Sequence, residues 1–393
     1  MTLKGVKPFS FITMDVMLCY NVRTCINLKV NQNMHNTKHN QVKEAIQSWI
    51  LEGKVAPRQK IKSENEMVEI FGVSRHTVRQ AIGDLVHEGW LYREQGRGTF
   101  CSDRTLSDQK PNKLIGIITT YISDYIFPSI IRGAESYLNS KGYSILLAST
   151  NNNVKEEKAC LQTILNKNID GLIIEPTKSA LYNENLNYYL GLEANNTPYV
   201  MINAYYPQLQ SPSLTVNDEQ GGHMAAEHLI HLGHRRIIGF FKTDDLQGLH
   251  RMQGFLRAHR EHRVTIDPEL IVPFNTEEKE EKPKEALRRI LRMKSEKPTA
   301  VFCYNDEIAL NILDVVREQQ LKVPEDLSIV GYDDSHFAQA SEVKLTSVKH
   351  PKMVMGETAA QVLIEAIQEK GREIEPVVFQ PELIVRSSTR KIE

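Results

Sequence analysis

The stretch FGVSRHTVRQAIGDLVHEGWLYREQGRGTF, Phe71 to Phe100, decides how the chain begins to fold. Gly72 suits the end of one helix, and Ser74 is a good N-cap for the next. Val78, Ile82, Leu85 and Val86 then recur at helical spacing and make one apolar face. Arg75, His76 and Arg79 fall on the first turns of the opposite face, with Thr77 within reach of the backbone. Gly89 ends the helix. Two short runs, WLYRE and GTFCS, follow, and QGR joins them as the turn of a β-hairpin.

Two more helices precede this stretch. Val42, Ala45, Ile46, Trp49 and Ile50 share one helical face between Asn40 and Gly53. Ser63 and Glu66 have capping-box spacing at the start of a helix that buries Met67, Val68 and Phe71. Three short helices and a hairpin make a winged helix-turn-helix. Its third helix is shaped to lie in a DNA major groove with its first turn facing the bases. Arg75, His76, Thr77 and Arg79 supply donors for base edges and phosphates, and Ser74 offers a hydroxyl at a helix N-terminus, which suits phosphate. In the wing, Gly96 and Gly98 let the backbone approach DNA closely while Arg97 supplies charge for a narrow minor groove. One such unit reads too few bases for useful specificity, so a homodimer is expected.

The segment IKSENEMVEIFGVSRHTVRQAIGDLVHEGWLYREQGRGTF resembles the DNA-binding domain of the GntR family across most of residues 38–101. The resemblance implies that Glu64, Asn65, Arg75, His76, Arg79 and Gln95, Gly96 and Arg97 contact operator DNA, and that Lys38 touches a phosphate at the first helix. Asn65 stands where many members carry Arg, which bears on the operator sequence.

The whole chain has 393 residues and a formal net charge of −1. The length suggests two or three units, and the charge excludes a uniformly basic nucleic-acid coat while allowing a local basic surface. Five Cys show neither a CxxC pair nor metal-ligand spacing, which fits free thiols in a reducing, cytoplasmic setting. The sequence contains no apolar run of membrane-spanning length. Residues 1–33 are expected to form an unstructured extension, their apolar part broken by Asp15. The DNA-binding domain then covers residues 34–101, and the polar, patternless 102–112 reads as a linker.

From 113 to 393 the pattern changes to strand–helix alternation, with LIGIIT, SILLAST, GLIIEP, YVMINA, RIIGFF, AVFCYN and LSIVGYD as strands. Such alternation implies parallel sheets with helices on both faces, and the strand count implies two α/β lobes. Ligands of these folds sit at the carboxyl ends of strands, here in the cleft between lobes. The strand-end positions hold Asp124, Tyr125, Phe127, Glu175, Lys178, Asn203, Arg251, Asn305 and Asp333. Carboxylates, amides, Arg and aromatic rings are the set a sugar requires, because each hydroxyl both donates and accepts and the C–H face is apolar. Asp334 reads as a turn residue bonding its own backbone amides. NTEEKEEKPKEALRRILRMKSEK reads as a solvated helix interrupted by Pro283.

The body resembles the LacI/GalR-type sugar-binding domains in LIGIITTYISDYIFPSIIRGAESYLNSKGYSILLAST, NDEQGGHMAAEHLIHLGHRRIIGFF, CYNDEIALNILDVVRE and DLSIVGYDDSHFA. Asn203, Arg251, Asn305 and Asp333 match that family's pocket positions, Asn203 standing where other members often have Asp. With the GntR-type head, the chain from Met34 onward resembles the arabinose-responsive repressors. The resemblance implies a repressor of arabinose-utilisation genes that binds operator DNA as a dimer and is released by L-arabinose, with no cofactor and no membrane association. The alternative is the same architecture answering to another sugar or a sugar phosphate. His223, His228, His231 and His234 crowd one helix, but helical spacing alone does not make a metal site, and none is expected. The chain has no nucleophile elbow, Walker loop or dinucleotide fingerprint, so an enzyme is not expected.

Overall fold

Ser63 and Ser74 act as the N-caps that the sequence foretells. The Ser63 and Glu66 side chains each bond the other's backbone amide, and the Ser74 hydroxyl accepts from Thr77 N. The computed structural model describes residues 37–103, 112–123, 125–209, 211–293, 297–369 and 374–392. Residues 1–33, most of the 102–112 segment and Asp124 lie outside them.

The head is built from α1 (Lys38–Leu51), α2 (Glu64–Phe71), α3 (Arg75–His87) and the antiparallel pair β1 (Leu91–Glu94) and β2 (Gly98–Cys101). Thr37 caps the first helix, just ahead of the Asn40–Gly53 apolar face, since its hydroxyl accepts from Asn40 N. Gly72 ends α2 with φ 60°, a left-handed conformation that glycine adopts without strain. Val42, Ile46, Met67, Val78, Ile82 and Leu85 close the head's core.

The first lobe contains β3 (Leu114–Thr119), α4 (Phe127–Ser140), β4 (Ser144–Ser149), α5 (Val154–Leu165), β5 (Gly171–Ile174), α6 (Leu186–Ala194), β6 (Tyr199–Ile202) and β7 (Ser213–Val216). The second contains α7 (Asp218–His231), β8 (Ile237–Lys242), α8 (Leu246–Glu261), β9 (Ile271–Phe274), α9 (Lys282–Arg292), β10 (Ala300–Cys303), α10 (Asp306–Glu318), β11 (Ser328–Asp333), α11 (His336–Ala340) and β12 (Thr346–Lys349). The chain then returns to the first lobe with α12 (Lys352–Gln368) and β13 (Val377–Phe379) and ends in the second with β14 (Glu382–Ile384). The sheets run β13-β7-β6-β5-β3-β4, all parallel, and β14-β12-β11-β10-β8-β9, parallel except at β14. β7, β9, β12, β13 and β14, which the sequence patterns do not single out, are each only three or four residues long. Pro283 does not interrupt α9; it sits in that helix's first turn, where the missing N–H costs nothing. Among the described residues no helix is long and apolar enough to cross a membrane.

Two close helix contacts set the geometry. A Cβ on Gly133 of α4 would lie 2.2 Å from the Met353 carbonyl oxygen, and one on Gly356 of α12 would lie 1.9 Å from that of Ile130. The two glycines thus let α4 and α12 touch backbone to backbone. Likewise a Cβ on Gly191 of α6 would lie 2.0 Å from Leu51 O, where the end of α1 rests on the body. Polar contacts reinforce this junction: the Tyr188 hydroxyl donates to Glu52 Oε1 at 3.0 Å and accepts from Gln162 Nε2 at 2.8 Å.

Gly133→Ala is expected to destabilise the body by about 1–3 kcal/mol, because a methyl group must push rigid backbone apart. Urea unfolding followed by circular dichroism measures this; an unchanged midpoint would contradict the contact.

Candidate functional site

On the head, Arg75, His76 and Arg79 stand exposed on α3 while Val78, Ala81, Ile82 and Leu85 are buried behind them. Glu64, the first residue of α2, gathers the two arginines. Its carboxylate accepts from Arg75 Nε at 3.2 Å and from Arg79 Nη2 at 3.0 Å. The Arg79 hydrogen bond, with help from Arg75, holds the Glu64 carboxyl below its usual pKa. Glu64 therefore orients guanidinium groups, and Asn65 beside it is exposed. Ser74 and Thr77 bond each other through their hydroxyls at 2.8 Å. At the wing, Gln95, Gly96 and Arg97 form the turn between β1 and β2, and Arg97 pairs with Glu94. Lys38 is exposed as the first residue of α1.

In the body, a cavity of about 340 Å3 opens between the lobes at the carboxyl ends of β3, β5, β8, β10 and β11. Tyr125, Phe127, Glu175, Arg251, Asn305 and Asp333 line it. Lys178 and Asn203 do not. Lys178 reaches across the lobes to Glu277, with Asp244 Oδ2 at 3.8 Å. Asn203 lies behind the wall, donating to Glu175 Oε1 at 2.8 Å and accepting from His350 Nε2 at 2.9 Å. Burial keeps His350 well below its usual pKa, so the ring is neutral. Burial raises the Glu175 carboxyl, against hydrogen bonds from Thr120 and Asn203.

Arg251 is only 1 % exposed and fills the base of the cleft. Its Nε donates to Asp218 at 2.8 Å, Nη1 to the Tyr304 carbonyl at 2.8 Å and Nη2 toward Asp333 at 3.5 Å, while its guanidinium lies 3.6 Å from the centroid of the Tyr332 ring. Burial opposes its charge, but Asp218 and Asp333 outweigh that and raise its pKa. Asp334 turns away from the site to Arg386, 2.6 Å distant, instead of bonding its own turn's amides.

Thr120, Asn152, Lys242, Asp245, Gln247, Lys279, Tyr304 and Glu307 also line the cavity and escaped the sequence reading. Most share the signal that singled out the others, a position at a strand end or in the loop after it. Lys242 bonds Asp245 at 2.8 Å and Asp244 at 3.1 Å; burial disfavours its charge, yet these carboxylates raise its pKa well above the usual range. Lys279 pairs with Glu307 at 2.9 Å. Each cation in the wall therefore has an acid of its own.

Bonds between the lobes close over this cavity. The Tyr125 hydroxyl donates to the Tyr332 carbonyl at 2.9 Å and accepts from Asp306 N at 3.1 Å. Asn152 Nδ2 donates to Thr276 Oγ1 at 2.6 Å, and Leu246 N to Ser179 Oγ at 2.9 Å.

Residues 38–101 match the gntR family of bacterial regulatory proteins, and residues 226–389 match a periplasmic binding protein-like domain. The arabinose metabolism transcriptional repressor of Halalkalibacterium halodurans is 52 % identical over 364 residues, covering 90 % of this chain and 96 % of that protein. The chain belongs to this repressor family. Its counterpart in Geobacillus stearothermophilus is 53 % identical over 357 residues, covering 90 % of this chain and 98 % of that one. The transcription regulator CcpA of Lactococcus lactis, a solved structure, superposes with a TM-score of 0.63 at 25 % identity, covering 70 % of this chain and 99 % of that one. The protein is thus a transcriptional repressor and not an enzyme, with a GntR-type head on a two-lobed LacI-like body.

Arg251→Met is expected to cost about 3–5 kcal/mol, since it strands the buried Asp218 carboxylate. Adding Asp218→Asn should restore part of that loss. Equal urea midpoints for the single and double variants would show that the stranded charge is not the cause.

Proposed function

We propose that the protein represses arabinose-utilisation genes in the cytoplasm by binding operator DNA as a homodimer, and that L-arabinose releases it. The observation that carries the neutral-sugar reading is the pairing of Lys242, Arg251 and Lys279 with their own carboxylates around the cavity. A sugar phosphate would need cations not already neutralised. A pentose needs donors and acceptors, which Glu175, Asp245, Gln247, Asn305 and Asp333 offer, with Tyr125 and Phe127 for its C–H face. The two relatives are arabinose metabolism transcriptional repressors, which favours the pentose.

Head and body have a physical route between them. Asn152 lines the cavity just before α5, and Gln162 on that helix holds Tyr188, which holds Glu52 at the end of α1. A sugar that favours one relation of the lobes thereby acts on the seating of the head. Such a switch requires the sugar to bind the two states with different affinity.

By linkage, operator DNA must weaken sugar binding by the factor by which sugar weakens operator binding, expected at about 5–150-fold. Calorimetric titration of L-arabinose with and without operator DNA measures it; equal affinities would remove the sugar as inducer. Tyr188→Phe should leave sugar affinity intact and shrink the factor.

Arg75→Ala is expected to weaken specific operator binding by about 1–3 kcal/mol and relax one base position. A gel-shift titration matching the parent protein would remove Arg75 from the DNA interface.

A further inference from the structure

We infer that Glu227, His231 and His262 form a binding site for a divalent transition-metal ion at the joined ends of α7 and α8. The ligand atoms of the three residues lie within 4.8 Å of one another. Glu227 and His231 are one helical turn apart on α7. His262 is the residue that caps α8, and only the fold brings it to them. The Glu227 carboxylate already lies 3.0 Å from His262 Nε2, and the His231 and His262 rings meet edge to face with centroids 4.9 Å apart. Tetrahedral zinc with bonds of about 2.0–2.1 Å places its ligand atoms about 3.4 Å apart, so small side-chain rotations close the set.

Three further features point to a cation. First, α7 and α8 run side by side in the same direction, Glu219 lying against Gly254 and Glu227 against His262, so both C-terminal ends converge here. The C-terminal ends of two helices carry partial negative charge, which favours a cation. Second, His223 stands one turn before Glu227 and is 7 % exposed. Its Nε2 bonds Glu261 at 2.6 Å, while its Nδ1 faces Glu227 Oε2 at 3.9 Å without a hydrogen-bond partner. A buried ring nitrogen is thus aimed at a candidate ligand. Third, the neighbouring cations have partners other than the three ligands: Arg257 bonds Glu219 and Gln220 and lies 3.6 Å from Glu261, and Arg235 bonds the Ile230 carbonyl.

The chemistry selects the metal class. Two imidazoles and one carboxylate suit zinc, cobalt, nickel or copper, whereas calcium and magnesium prefer all-oxygen sets. His231 is exposed, so water can complete the shell. His228 and His234 take no part: the first bonds Thr389 at 3.1 Å, and the second bonds Thr299 and the Arg390 carbonyl. Bound metal would pin together the far ends of the two helices that carry Asp218 and Arg251.

The test uses full-length protein, free of any polyhistidine tag and stripped with EDTA. It is titrated with Zn2+ by calorimetry and with Co2+ by visible absorption. The expected result is one saturable equivalent per chain with tetrahedral cobalt bands and no response to Mg2+. His231→Ala and His262→Ala should each weaken binding at least tenfold, while His228→Ala leaves it unchanged. Glu227→Gln serves as a further variant should either histidine variant fold poorly, with circular dichroism of the metal-free proteins as the check. Absence of saturable binding, or equal binding in the parent and the folded ligand variants, as expected if cysteines took the metal, would overturn the assignment.

Discussion

A single buried guanidinium organises the cleft. Arg251 of α8 has carboxylates from α7 and β11, a carbonyl just after β10 and the ring of Tyr332, also on β11, around it, so three segments take their positions against α8 from one side chain. Its charge would be costly alone, and the two acids would be costly without it. The close packing of α7 on α8 depends on the same spot, since a Cβ on Gly222 would lie 2.1 Å from the Arg251 carbonyl oxygen. Lys242 with Asp244 and Asp245 repeats the arrangement nearby. The wall is rich in charge, and each of its cations is held by at least one acid, which suits a ligand recognised by hydrogen-bond geometry and not by a phosphate's charge.

Glu64 does for the head what Asp218 does for the body. Alone on the surface, Arg75 and Arg79 would sample many rotamers; with one carboxylate between them they are pre-positioned, which would lower the ordering cost of the proposed contact with DNA.

The local signals were legible because they are short-range. Ser63 with Glu66, and Ser74 before α3, announce helix starts through bonds within three residues, and apolar runs such as LIGIIT announce buried strands. Strand-end logic likewise places Glu175, Arg251, Asn305 and Asp333 at the cavity. The same logic cannot tell a side chain entering the cavity from one turned aside. Lys178 is drawn across the lobes by Glu277, and Asn203 is held behind the wall by His350, a partner 147 residues away. Asp334 was legible as structural, but its partner, Arg386, comes from β14's side of the chain end and not from its own turn. His262 stayed hidden for the same reason, since no spacing rule joins it to Glu227 and His231.

The first lobe is not contiguous in the chain. Its sheet gains its last strand, β13, only at Val377–Phe379, and α4 finds its packing partner in α12. The head's own elements are complete by Cys101, although α1 also packs on α6 of this lobe. The ribosome must therefore deliver almost the entire polypeptide before even the amino-proximal lobe can close its core. A chain cut short before α12 would leave α4 without its packing partner and the sheet without its edge strand, so the fold of the amino-proximal lobe rests on the last few dozen residues as much as on its own first strands.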